Sequence, residues 1–252
     1  MMQQNGIWSE TFRIRADEMD RRGKLSPPAL FNYLQETAGR HAASLGFGVH
    51  RLLEQQRNWM LSRFFMQIDS YPRYGEEITV QTWPCGVDRL LALRDFLVTD
   101  AGGTVIAQAT SGWLLIDLTA RRILRLGNML DPYTINRRAV DRQLNKLPHP
   151  PEYTTQKEFT VRLNDIDVNQ HTNSVAYLEW LLETVPLNVQ GTHSLVSLEV
   201  NYQSEALYNE PILSLACPDE NDRNTWLHGI HKQAGGEELA RARSSWEAQA
   251  IP

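Results

Sequence analysis

The chain has 252 residues, 42% of them hydrophobic and 22% charged, with a formal net charge of −5 and only two cysteines, Cys85 and Cys217. These totals point to a soluble globular protein and exclude a disulfide-rich scaffold; they argue against nucleic acid as the main partner. No run approaches the roughly 18 consecutive apolar residues of a spanning helix, so no membrane insertion is expected.

The opening stretch "MMQQNGIWSE" lacks the basic flank and apolar centre of a secretory signal, so a reducing cytoplasm is the expected setting. A short strand and a turn lead to a helix, with Leu30, Tyr33, Leu34 and Ala38 at helical spacing and Pro27-Pro28 suited to its start. Strand patterns follow in "WMLSRFFMQID", "EEITVQTW", "LLALRDFLVTD" and "TVIAQATSGWLLID". Between the last two, "DAGGT" reads as a hairpin turn, because paired glycines supply the positive φ such turns need. An arginine-rich stretch then carries Arg121, Arg122, Arg125, Arg137, Arg138 and Arg142, and "KLPHPPEY" reads as a proline-stiffened linker. Beyond it the order recurs. A short strand and a polar turn precede a helix over 174–185, with Val175, Leu178, Leu181, Leu182 and Val185 on one face and Thr172 or Asn173 as N-cap. The strands "SLVSLEVNYQS", "PILSLAC", "TWLHGIHKQ" and "LARARSSWEA" complete it, with a second hairpin at "QAGGE".

The recurrence is one of sequence as well as order. "FRIRADEMDRRGKLSPPALFNYLQETA" (12–38) lies over "FTVRLNDIDVNQHTNSVAYLEWLLETV" (159–185) at a constant offset of 147, which matches Phe12 to Phe159, Arg15 to Arg162, Asp20 to Asp167 and Glu36-Thr37 to Glu183-Thr184. Downstream, "GGTVIAQATSGW" (102–113) lies over "GGEELARARSSW" (235–246) at an offset of 133. Two matches in the same order identify an internal duplication, each copy one helix wrapped by an antiparallel sheet. In each last strand small residues, Ala107, Ala109 and Ser111 or Ala240, Ala242 and Ser244, alternate on one face and let the sheet come close to its helix.

The copies differ where it matters for chemistry. Asp167 has its counterpart in Asp20, but Asn169 faces Arg22 and His171 faces Lys24. Read as an extended segment, Asp167, Asn169 and His171 point the same way, just ahead of a helix whose free N–H groups favour a developing anion. A carboxylate, an amide and an imidazole there suit attack on a carbonyl. The plainer reading is a turn built by Asp167 and Asn169, with His171 merely packed. Glu205, near the end of a strand in copy two, falls opposite Ser70 or Tyr71; it is a further copy-specific acid or a solvated strand end.

Taken together, "NDIDVNQHTNSVAYLEWLLETVP" resembles the signature of the acyl-acyl-carrier-protein thioesterases of bacteria and plant plastids, in which a D-x-N-x-H segment precedes the central helix of the second of two tandem hotdog domains. "VNYQSEA", "SYPRYGEEITVQTW" and "SGWLLIDLTARRI" are similar to further strands of that family. The resemblance covers roughly residues 7 to 247. It implies an α+β tandem hotdog fold: an acyl-binding domain over 1–130, a linker over 131–151 and a catalytic domain over 152–252. It also implies release of free fatty acid from acyl-acyl-carrier-protein (acyl-ACP) thioesters without a cofactor or metal, with the carrier protein as partner. Carried over by position, the catalytic set is Asp167, Asn169, His171 and Glu205. Many plant members have a cysteine directly after the glutamate; here that residue is Ala206, which leaves a carboxylate-and-water route. Asp167 is then either a nucleophile forming an anhydride or a group that orients its neighbours.

Trp59, Leu61, Phe64, Leu91 and Trp113 are the candidates for an acyl-chain lining, against a plain core role. The six arginines are the candidate dock for an acidic carrier, against a solvated linker. An acyl-CoA thioesterase, a hotdog dehydratase and a non-catalytic acyl-binding regulator remain as rivals. The tandem copies already form a pseudo-dimer, and a further homodimer stays open. His228 and His231 in "HGIHK" fall on opposite faces of a strand, are expected at the surface and form no metal site.

Overall fold

A computed structural model describes residues 6–150, 152–168 and 170–249, and the backbone alone of 2–4. The chain divides into two compact units between Leu144 and Asn145.

The first unit contains β1 (Met2–Gln4), β2 (Ile7–Arg13), α1 (Pro27–Ser44), α2 (Val49–Glu54), β3 (Arg57–Ile68), β4 (Glu77–Asp88), β5 (Leu91–Asp100), β6 (Val105–Asp117) and β7 (Arg122–Ile123). Its antiparallel strands run in the order β1-β2-β4-β5-β6-β3, with β7 hairpinned onto β6. The second unit contains β8 (Thr155–Thr160), α3 (Ser174–Thr184), α4 (Leu187–Thr192), β9 (His193–Tyr202), β10 (Pro211–Pro218), β11 (Thr225–Lys232) and β12 (Glu238–Ala248). Its order is β8-β10-β11-β12-β9. Strand for strand this repeats β2-β4-β5-β6-β3, so the duplication seen in sequence is a duplication of topology.

Local chemistry explains the elements. The Ser26 hydroxyl accepts the Ala29 N–H at the start of α1, Pro27 and Pro28 occupy the first turn where no N–H is needed, and Gly46 ends the region at φ +85°. Leu30, Tyr33, Leu34, Thr37, Ala38 and His41 form its buried stripe against the sheet. In α3, Val175, Leu178 and Leu181 are buried as the spacing predicts, while Leu182 is only partly so. The helix ends at Thr184, with Val185 extended as a residue before proline requires, and Pro186 follows it. Both glycine hairpins form: Gly103 has φ +83° beneath an Asp100 N–H to Thr104 carbonyl bond, and Gly235 and Gly236 have φ +80° and +68°. The small residues Ala107, Ala109, Ser111, Ala240, Ala242 and Ser244 are all buried.

Two expectations change. The stretch expected as a linker is held down on both sides of the division. Arg138 Nε donates to the fully buried Asp95 at 3.0 Å, and the Ala139 N–H adds a second bond to that carboxylate at 2.7 Å. In the second unit the Leu147 N–H donates to Asn201 and the buried Arg241 donates to the Leu147 carbonyl. His228 and His231 do face opposite ways, but His228 is fully buried and bonded through Nε2 to Ser244 Oγ at 2.8 Å. The strand's inner face lies against the core, so a polar residue there is enclosed rather than solvated.

Candidate active site

Two loops of the second unit meet at the start of α3. The first runs from Val161 to Asn173, the second from Gln203 to Glu210, and backbone bonds close them together: Val161 N–H to the Glu210 carbonyl at 3.0 Å and Asn209 N–H to the Val161 carbonyl at 3.0 Å. At the helix start, the Thr172 N–H and hydroxyl both donate to the Ala206 carbonyl, at 3.2 and 2.8 Å. The neighbours of those two residues are thereby brought face to face: His171 Nε2 lies 3.1 Å from Glu205 Oε2. The pair keeps 38% and 46% of its side-chain surface, so it is open to an incoming reactant.

Asp167, Gln170 and His171 close a turn, the plainer of the two readings the sequence left open, in place of the extended run. The Asp167 N–H donates to the His171 carbonyl at 2.8 Å, Gln170 N–H returns to the Asp167 carbonyl at 3.0 Å, and Gln170 sits at φ +65°. The Asp167 carboxylate accepts the His171 N–H at 3.3 Å. A short acidic side chain that can bond backbone N–H groups ahead of it favours this geometry over a strand. Asn169 lies outside the described residues.

The helix start is also less free than its sequence suggests. Asn173 is the N-cap; its side chain accepts the Val175 N–H at 3.1 Å and its carbonyl the Ala176 N–H at 3.0 Å. Two of the donors that would face an anion are therefore occupied.

Neither cysteine substitutes for the one missing after Glu205. Ala206 is fully buried, and Cys85 and Cys217 are free but buried thiols. Burial pushes both thiols up, and Cys85, beside Asp95, donates to that carboxylate at 3.2 Å.

The first unit shows what the same scaffold does without these residues. Its Leu25 N–H to Pro72 carbonyl bond, 2.8 Å, is the equivalent of Thr172 to Ala206, which places Tyr71 rather than Ser70 opposite Glu205. Asp20 holds its turn by accepting the Arg22 and Lys24 N–H groups at 2.8 and 3.2 Å. The Arg22 guanidinium closes on the same carboxylate at 2.8 Å. Tyr71, its phenol pushed up by burial, lies beside Arg22 and Asp20. Lys24 and Tyr71 stand where the second unit has an imidazole and an acid, and the Arg22–Asp20 ion pair takes the positions of Asn169 and Asp167.

The apolar candidates separate by burial. Phe64 is 2% exposed and meets Phe31 edge-on at 4.6 Å, and Leu61 is 7% exposed; both are core. Trp59, Leu91 and Trp113 are only half-buried, and the two tryptophans pack on a cluster of Leu52, Ala92, Leu115, Leu126 and Leu130. The arginines separate too. Arg137 lies over the Trp83 ring at 5.3 Å, Arg142 over the Phe65 ring at 4.3 Å, and Arg138 is tied to Asp95. Arg121, Arg122 and Arg125 are exposed around β7. Aromatic faces and a buried carboxylate were available to the first three, and desolvated partners hold a guanidinium better than water does.

Comparison with known proteins bears on both units. The family description "acyl-ACP thioesterase N-terminal domain" matches residues 6–133, and "acyl-ACP thioesterase C-terminal domain" matches 149–248. The chain is 30% identical over 96% of its length to a chloroplastic acyl-acyl-carrier-protein hydrolase of Cuphea viscosissima. It is 28% identical over 98% to a chloroplastic palmitoyl-acyl carrier protein thioesterase of Cuphea hookeriana. It spans 63% of the length of each of these plant proteins. Among solved structures, an acyl-ACP thioesterase from Bacteroides thetaiotaomicron superposes with a TM-score of 0.86 at 29% identity, covering 98% of this chain and 100% of that one. A 12:0-ACP thioesterase from Umbellularia californica gives 0.87 at 27%, covering 99% and 100%.

Proposed function

The chain belongs to the acyl-ACP thioesterase family, and from that premise we propose that it hydrolyses fatty acyl-ACP thioesters to free fatty acid and carrier thiol. The observation that carries this reading is the 3.1 Å contact between His171 and Glu205, present in one copy of a duplicated scaffold and replaced by Lys24 and Tyr71 in the other. In the proposed reaction the pair takes a proton from a water that adds to the thioester carbonyl, and returns one to sulfur as the carbon–sulfur bond breaks. The Asn169 amide polarises the carbonyl. Asp167, whose carboxylate and backbone close the turn, orders the loop rather than attacking.

The acyl chain is assigned to the first unit's half-buried Trp59, Leu91 and Trp113, with Leu61 and Phe64 as supporting core. Docking of an acidic carrier falls to Arg121, Arg122 and Arg125, because the other three arginines are already engaged. Two free, buried cysteines fit a reducing cytoplasm.

The test is free-thiol release from a panel of acyl-ACP substrates of graded chain length, run beside the matching acyl-CoA esters. Faster turnover on the carrier-bound esters is expected. No thiol release from any ester, or a preference for CoA, overturns the reading.

A further inference from the structure

The contact between His171 and Glu205 cannot hold itself in place. Both side chains are more than a third exposed, and an ion pair so placed is screened by water and contributes little to holding its own geometry. Something beneath it must fix the loop that carries Glu205, and the residue directly after Glu205 shows what does. The Ala206 N–H, fully enclosed, donates to the phenol oxygen of Tyr177 at 3.0 Å. Tyr177 is itself 3% exposed, on the second turn of α3, and the Thr172 side chain also hydrogen-bonds its phenol. Tyr202, from β9, meets the Tyr177 ring edge-on at 5.7 Å and donates to the Ser174 carbonyl at 3.2 Å. Ala206 is thus gripped twice, its carbonyl by Thr172 and its N–H by Tyr177.

The duplication isolates the significance of that grip. At the 147-residue offset Tyr177 falls on Leu30 and Thr172 on Leu25, and the structural equivalence of Ala206 with Pro72 sets Tyr202 on Ile68. The first unit has a proline, which offers no N–H, opposite a leucine, which offers no acceptor. The second has an N–H opposite a phenol. Donor and acceptor therefore occur together, in the copy that also carries His171 and Glu205.

We infer that Tyr177 is a positioning residue: through the Ala206 N–H it fixes the loop that presents Glu205 to His171, without touching substrate. This rests on the proposed hydrolysis for its kinetic consequence, though not for its structural one. Tyr177→Phe leaves the Ala206 N–H enclosed without a partner, so it lowers both stability and turnover. Adding Ala206→Pro removes that donor and reproduces the pairing of the first unit, so the double variant recovers stability while the grip stays broken.

The experiment compares the wild type, Tyr177→Phe, Ala206→Pro, the double variant and Glu205→Gln. Thermal unfolding, steady-state kinetics on an acyl-ACP ester and the imidazole resonances of His171 are read for each. The expected result is a roughly tenfold lower kcat with KM unchanged in both single variants and in the double variant, whose unfolding temperature returns close to the wild type. The His171 resonances should move in all three toward their positions in Glu205→Gln. Recovery of kcat in step with stability would reduce Tyr177 to a structural role and overturn the inference, as would His171 resonances that stay at wild-type positions. A wild type that hydrolyses no ester defeats the proposed function alone, since the resonances still decide whether Tyr177 sets the contact.

Discussion

Asp20 and Asp167, 147 residues apart, close the same turn in the same way. Each backbone N–H donates to the carbonyl four residues ahead, at 2.7 Å to Lys24 and 2.8 Å to His171, and each carboxylate accepts the N–H of that residue, at 3.2 and 3.3 Å. One of the two sits in a unit whose equivalent of the His171–Glu205 pair is Lys24 and Tyr71, so the shared duty is architectural. Asp167→Asn retains an acceptor oxygen and is expected to keep kcat within about tenfold of the wild type, whereas Asp167→Ala releases the turn and lowers it at least a hundredfold, within the range of a misplaced catalytic group. Single-turnover hydrolysis in heavy-oxygen water should leave Asp167 unlabelled. Label on that carboxylate, or an asparagine variant as inactive as the alanine one, would place Asp167 at the reacting carbon.

The pair itself divides activity from stability. Glu205→Gln or His171→Ala should lower kcat by about 10²–10⁴-fold, the usual contribution of general acid–base groups. Unfolding temperature should move by only a degree or two, because a half-exposed pair adds little to folding. Kinetics and calorimetry on the same preparations check this; a large thermal shift would mean the loss of rate reports a damaged fold.

The arginines divide into two sets with opposite signatures. Arg138→Ala strands the fully buried Asp95 carboxylate on one thiol and one N–H, and is expected to cost about 2–3 kcal/mol, less than a fully enclosed pair because the guanidinium keeps a third of its surface. Replacing Arg121, Arg122 and Arg125 together by alanine should leave the denaturation midpoint unchanged, raise KM for acyl-ACP and weaken its salt dependence. A KM that ignores both the substitutions and added salt removes these three from the docking surface.

Two buried histidines should make the protein acid-sensitive. Burial pushes His228 down to about 3, and burial together with the neighbouring Arg94 pushes His41 down to about 3, from an ordinary value of 6.5. In the window between 6.5 and 3 the unfolded chain binds protons that the folded one refuses, so stability is full above pH 6.5 and falls as pH drops through the window. Each histidine accounts for a loss of about 2 kcal/mol at pH 5. Denaturant midpoints at pH 7.5 and pH 5 measure the sum, and His228→Phe should remove about half of the difference. An unchanged difference in that variant would assign the acid sensitivity to other groups.

Much of this was legible in the residues alone. The 3.6-residue stripe of α1, the two-glycine hairpins, the Asn173 cap and the small residues of β6 and β12 are local signals, fixed by backbone geometry within a turn or a strand. The duplication was legible because it is local patterning repeated at a set distance, and comparing the copies singled out His171. The same comparison pairs Tyr177 with Leu30, a signal present in the sequence but without meaning until Ala206 is known to need an acceptor.

The order of residues carries the list of elements, their succession in each copy and the residue types that differ between the copies. Which of those residues meet follows from how the strands and loops pack. His171 and Glu205 are separated by two helices and a strand, and their 3.1 Å approach is set by sheet order and by where two loops close on Ala206. The ties on Arg137, Arg138 and Arg142 and the burial of His228 depend in the same way on partners distant in the chain. Periodicity records which face a side chain takes; it holds no record of what the fold brings to that face.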